Sequence, residues 1–204
     1  MRRASAIAVL LAAALSIPLA VLAESEVRGA VVFLLPMDGI YDGDFFPVVS
    51  LLRERGVAVT LASVTGGRSG TMDGTSVAVD MTFSGLDVAA FDAIVIPGGV
   101  GAYGMIREPI VLDLLRAAAD AGVILAGICA GGDVLIQLGF ADGREVANPP
   151  ERAGYPPRYG AIATNEPAWT SAPFEETYVL ITAIGLAHAV DDFAMHILAA
   201  LAEE

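Results

Sequence analysis

Lysine is absent from the 204 residues, cysteine occurs once (Cys129), tryptophan once and histidine twice. Each shortage closes a route. Only 11 Arg oppose 24 acidic residues, for a formal net charge of -13. No basic patch is available to displace counterions from phosphates, which argues against a nucleic-acid partner. The same deficit argues against electrostatic docking on anionic lipid. A lone thiol cannot form an intrachain disulfide. With two histidines and one cysteine there is no zinc pattern, and neither a metal nor a cofactor is expected. The acids Asp38, Asp42 and Asp44 share one loop, but their spacing lacks the ligand count of a calcium loop.

The amino terminus is a separate problem. Arg2 and Arg3 precede an apolar run from Ala4 to Leu22, and Val21-Leu22-Ala23 is a small-x-small cleavage signature. Residues 1–23 read as a secretory signal peptide. The alternative is an uncleaved anchor, the one way a membrane enters this reading. The product would be exported, to the periplasm or outside the cell. Residues 24–204 are long enough for one domain with a good core.

Within that domain, apolar strands alternate with helical stretches. Ala30–Leu35 reads as a buried strand and Phe45–Arg55 as a helix with Pro47 in its first turn. Val57–Ala62 is the next strand. Gly66–Gly70 reads as a flexible loop and Val77–Asp80 as a short strand. Ala93–Ile96 is a core strand that ends at Pro97-Gly98-Gly99. Pro109–Ala121 is a helix. Residues 141–160, rich in Pro, Gly and Arg, form irregular surface, either a lid or a plain loop. Ala161–Thr164 and Tyr178–Thr182 are strands, and a last helix spans His188–Ala202. The alternation predicts an open, mostly parallel α/β sheet with helices on both faces.

The chemistry concentrates at Gly127-Ile128-Cys129-Ala130-Gly131. An apolar strand precedes it and a helical stretch follows. This is the G-x-nucleophile-x-G form of a nucleophile elbow, with Cys in the reactive place. Such a turn exposes the side chain above the sheet, and the helix N-terminus beside the sulfur favours a thiolate. A buried structural Cys is the alternative.

Taken in order, the acidic loop after the first strand, Phe91–Gly99, Ala126–Gly131 and Leu180–Gly185 resemble the ThiJ/PfpI superfamily (DJ-1/PfpI domain). The resemblance spans nearly all of residues 29–201. It implies a flavodoxin-like sheet of the class I glutamine-amidotransferase type and a homodimer. It also implies Cys129 as nucleophile and Asp44 as the partner acid, with Asp42 as the fallback. Backbone N–H groups of Gly98, Gly99 and Ala130 would form an oxyanion hole. One expected part is missing. Many catalytic relatives carry a His directly after the Cys or about twenty residues later before a Pro, whereas this chain has Ala130 and Asn148-Pro149. Asn148 can orient a group but cannot take a proton at neutral pH. His188 and His196 fit packing or surface roles better than catalysis. Arg152 or Arg158 could contact an anionic product, although both fit solvated surface better. The absent base weakens peptidase and amidotransferase readings. The resemblance then points to an enzyme acting on small reactive carbonyls, of glyoxalase or deglycase type. The alternatives are a hydratase, amidase or peptidase of the same superfamily, or a non-enzymatic redox-sensing or ligand-binding domain.

Overall fold

The computed structural model describes residues 28–171, 178–185 and 187–203. The segment read as a signal peptide lies outside the described residues, and so does the side chain of His188.

Seven strands form the main sheet. In chain order they are β1 (Ala30–Leu35), β2 (Ala58–Ser63), β5 (Met81–Thr82), β6 (Ala93–Ile96), β7 (Ile124–Ile128), β10 (Ala168–Ser171) and β11 (Leu180–Ala183). Across the sheet the order is β10-β11-β7-β6-β1-β2-β5. Only β10 runs antiparallel. The central five strands follow the flavodoxin-like order, which reverses direction between β1 and β6. Ligands of such sheets bind at the carboxyl ends of the strands, beside that reversal.

Both faces are covered, as the continuous apolar runs require. On one face α1 (Asp42–Glu54) and α5 (Ala187–Leu201) place Phe45, Leu52, Phe193 and Ile197 over Phe33 and Val95. On the other, α3 (Pro109–Asp120) and α4 (Ala130–Gln137) place Val111, Leu115 and Val134 over Leu34, Ile96 and Leu125. The short helix α2 (Ala102–Met105) joins the second layer. The strands therefore send alternate residues to two separate cores.

Three expectations need correction. Helix α1 starts at Asp42 rather than Phe45, so Pro47 is interior. The ring removes only the bond that would reach Gly43, and the acids at 42 and 44 suit the helix N-terminus. Gly56 ends the helix, with φ 88° and Val57 N–H bonded to Leu52 O at 3.1 Å. Secondly, the Gly66–Gly70 stretch is ordered in part. Its Arg68–Gly70 is β3, paired antiparallel with β4 (Ser76–Ala78). The Asp73-Gly74 turn closes that hairpin, with Asp73 Oδ1 accepting from Thr75 N–H at 2.9 Å. Thirdly, the strand at 161–164 shrinks to β9 (Ile162–Ala163), paired with β8 (Glu145–Val146), and β10 was not foreseen.

The backbones of β7 and α4 approach closely. A Cβ on Gly127 would lie 2.6 Å from Gly131 C and O, both backbone atoms that cannot swing aside. A Cβ on Gly104 would meet nothing within 4 Å. Gly127→Ala is expected to cost at least about 2 kcal/mol. Gly104→Ala, in a helix, is expected to be neutral or stabilising by up to about 1 kcal/mol. Urea denaturation of both variants measures this, and equal midpoints would refute the crowding argument.

Candidate active site

Cys129 is the hinge between β7 and α4. Its φ of 55° and ψ of -123° lie outside the regions open to ordinary side chains. Two bonds hold it there. Its N–H donates to Ala183 O at 2.9 Å, and its carbonyl accepts from Asp133 N–H at 3.3 Å. Such strain persists only where the surroundings over-determine it, and it clusters at functional sites. The thiol is half-buried. Gly185 borders it so closely that a Cβ there would lie 2.6 Å from Sγ.

Asp44 comes to the same place from α1. It is fully buried. Gly98 N–H donates to its Oδ1 at 3.3 Å, while Oδ2 has no hydrogen-bond partner. Gly98 is the spacer between the two functional groups. A methyl group there would run into Asp44 Oδ2 and lie 2.8 Å from Cys129 Cβ. Asp42 is only half-buried, and its part is the like charge that it adds beside Asp44. The structure therefore places Asp44, not Asp42, across Gly98 from Cys129.

Burial dominates the electrostatics. Desolvation pushes the Asp44 carboxyl up from 3.8 to about 7, the Gly98 N–H opposes the shift, and the Asp42 charge adds to it. Burial also pushes the Cys129 thiol up. The Ala130 N–H works against that, the Asp44 charge adds to it, the Gly99 N–H opposes and the Asp133 charge adds. The sequence led us to expect a thiolate favoured by the helix terminus. The Ala130 N–H does act in that direction but is outweighed. Gly98, assigned with Gly99 and Ala130 to an oxyanion hole, has its N–H engaged by Asp44. The two N–H groups aimed at the sulfur are those of Gly99 and Ala130.

Two hollows meet at Cys129. One is a polar cavity of about 60 Å³ bordered by Asp133, Asn148, Arg152 and Thr182. Asn148 is buried and turns its Nδ2 onto Pro149 O at 2.7 Å. Arg152 Nη2 reaches both Asp133 oxygens, at 2.9 and 3.1 Å. Tyr103 donates to Asp133 Oδ2 at 2.6 Å. The segment after Asn148 thus closes one side of the site. Arg158, also considered from sequence, is exposed and borders neither hollow. The other hollow is an open apolar depression of about 320 Å³ under Tyr41, Met72, Val100 and Tyr103. His196 lies on α5, its Nδ1 2.6 Å from Thr170 Oγ1. Sequence reasoning missed Asp133 and Tyr103. An acid four residues after the nucleophile, in the first turn of α4, was the available signal for Asp133; nothing marked Tyr103. Among the described residues, no three His, Cys, Asp or Glu side chains gather as metal ligands, and no helix is long and apolar enough to cross a membrane.

The model of the DJ-1/PfpI family matches residues 30–200. Protein dj-1beta of Drosophila melanogaster is 31% identical over 125 residues, which cover 60% of this chain and 66% of that protein. Deglycase TK1284 of Thermococcus kodakarensis is 30% identical over 114 residues, covering 56% of this chain and 69% of the relative. Among solved structures, a ThiJ/PfpI domain protein from Brachyspira murdochii superposes with a TM-score of 0.76 at 20% identity. That match covers 86% of this chain and 97% of the other. Drosophila melanogaster DJ-1beta superposes with a TM-score of 0.69 at 28% identity, covering 86% and 90%. With the family model spanning the whole sheet and the elbow at its centre, this chain belongs to the DJ-1/PfpI family.

Proposed function

We propose that the chain is an exported, cysteine-dependent enzyme that acts on small reactive carbonyl compounds, of glyoxalase or deglycase type, and that it works as a homodimer. The observation that carries this is the pairing of a strained, half-buried thiol with a buried carboxyl poised near neutrality. Four relatives named deglycases, among them PfpI of Pyrococcus furiosus at 34% identity over 94 residues, support the reaction class.

The chemistry follows from the proton positions. At neutral pH the proton sits on sulfur, and Asp44 is partly ionised. Sγ adds to the carbonyl carbon, and a new S–C bond forms. The thiol proton passes to the Asp44 carboxylate, and the carbonyl π electrons move onto oxygen. The N–H groups of Gly99 and Ala130 face that oxygen as charge develops. Asp44 then returns the proton to it, which leaves a neutral hemithioacetal. One carboxyl serves both transfers. A peptidase would also need a group to protonate an amine, and Asn148 cannot supply that proton.

A second reading, a redox sensor, rests on Asp44 Oδ2. That oxygen has no hydrogen-bond partner and could donate to an oxidised sulfur. The raised thiol value counts against it, because oxidation proceeds through the thiolate.

Cys129→Ser is expected to lower methylglyoxal consumption at least about a hundredfold while the fold survives. Full turnover in that variant would refute the enzyme reading, and selective Cys129 oxidation without turnover would favour the sensor. Asp44 must be ionised to accept the thiol proton. kcat/KM is therefore expected to rise about tenfold per pH unit below about 7 and to level off above it. Asp44→Asn should lose about a hundredfold in rate and the inflection with it. An unchanged profile in that variant would remove Asp44 from the mechanism.

A further inference from the structure

The polar hollow beside Cys129 holds an arginine that the proposed reaction does not use. Arg152 stands on the segment after Asn148-Pro149 and borders the same cavity as the thiol. Its placement is built. Nη2 is tied to both oxygens of Asp133, itself 4% exposed in the first turn of α4. Tyr103 braces Asp133 from α2 through its hydroxyl, at 2.6 Å. The guanidinium lies over the Tyr155 ring, 4.3 Å from its centre, and Gln137 Nε2 holds the Tyr155 hydroxyl at 2.8 Å. Four side chains from three parts of the chain thus fix one planar cation.

What this cation leaves free is the basis of the inference. Arg152 spends Nη2 on Asp133, and no described residue accepts from its Nε or Nη1. Asp133 is largely taken up, since Oδ2 accepts from Arg152 and Tyr103 and Oδ1 from Arg152. The pair is neutral as a whole, and the larger unspent capacity is the donor edge of Arg152 at Nε and Nη1. A guanidinium edge recognises planar oxyanions through two parallel bonds. The cavity, at about 60 Å³, has room for roughly four to six water-sized groups. That suits a carboxylate with one or two further carbons.

We propose that Arg152 is a specificity-determining residue that binds a carboxylate attached directly to the carbonyl carbon that Cys129 attacks. The class of compound it selects is then small 2-oxo acids of glyoxylate size, which the thiol takes up as the hemithioacetal written above. The proposal deepens the carbonyl reading above and rests on it for the reaction, though not for the anion subsite. Asp133, Tyr103 and Tyr155 are positioning residues for Arg152. The net charge of -13 opposes anions at long range, so attraction here must come from the local site.

Two alkylating reagents test the subsite without requiring turnover. Iodoacetate and iodoacetamide both react with the Cys129 thiolate and differ in a carboxylate placed one carbon from the attacked atom. The ratio of their rates cancels any change in thiol pKa. The comparison is wild type against Asp133→Asn/Arg152→Met, a pair of changes that leaves net charge unchanged and no buried charge unpaired. The iodoacetate-to-iodoacetamide ratio is expected to fall about tenfold in the double variant, the weight of one charge-assisted contact. Equal ratios would show that Arg152 is spent entirely on Asp133 and would overturn the proposal. Should the double variant fail to fold, the wild type decides alone. Its native ratio is expected to exceed that of the same thiol in the urea-unfolded chain, and a native ratio equal or lower would overturn the proposal. Failure of methylglyoxal turnover with an intact ratio would sink the carbonyl reading and leave the anion subsite standing.

Discussion

Everything at the site depends on one reversal of the backbone at Cys129. β7 arrives as a buried strand and α4 departs almost on top of it. The two segments approach so closely that Gly127 and Gly131 have no room for side chains. A Cβ on Gly131 would run into the carbonyl of Ile96, and one on Gly127 into Gly131 itself. This crowding forces the residue between them to a positive φ, 55°. Normally glycine would take that position, because side chains there are strained. The fold places its one cysteine there instead, and the Ala183 carbonyl holds its N–H in place. The same crowding leaves the Ala130 N–H at the start of a helix, facing the sulfur.

A second constraint, the burial of Asp44, sets the chemistry. A carboxyl in water would be fully ionised at neutral pH. Asp44 is withdrawn from solvent and receives a single backbone bond, so its value rises to about 7. That shift also bears on stability. The folded carboxyl holds its proton more tightly than the unfolded one does. Its contribution is fully present below about pH 4 and is lost as pH rises through about 7. The protein is thus destabilised by the ionisation that the proposed reaction requires, a usual trade at functional sites. Helix α1 maintains the arrangement. Phe45, next to Asp44, packs edge-on against Phe33 of β1 at 5.7 Å, which fixes the depth at which the carboxyl enters.

The sequence was most legible where periodicity and glycine spacing coincide. Ala30–Leu35, Ala93–Ile96 and the G-x-C-x-G elbow stand out because buried parallel strands are continuous apolar runs and the elbow interrupts one sharply. The short elements were not legible. β3 and β10 are three and four residues long, and their pairing is decided by neighbours distant in sequence. The site divides in the same way. Cys129 and Asp44 lie in motifs, and the structure brings them to opposite sides of Gly98. The commitment of the Gly98 N–H to Asp44 is a tertiary fact that no spacing reveals. The same holds for the thiol, because the helix terminus is visible in sequence whereas the desolvation that outweighs it is not.

The departure at position 148 changes what the site can do. A histidine there would supply both a proton carrier and a switchable charge. Asn148 supplies neither, and its amide turns to Pro149 O. Four residues on, Arg152 enters the same cavity with a charge that does not switch; burial pulls its value down, and Asp133 with Tyr103 and Tyr155 together raise it above the ordinary one. A fixed cation cannot accept a proton, so it cannot replace the histidine as a base. It can, however, offset negative charge at one point throughout a reaction. Proton movement is then left to the Cys129–Asp44 pair, in which burial holds the carboxyl near neutrality and pushes the thiol up. A site so divided suits an addition in which one proton moves a short way and returns, and it suits poorly a cleavage in which a leaving amine must be protonated. The residues near the sulfur thus support the proposed carbonyl addition on physical grounds, apart from any relative's name.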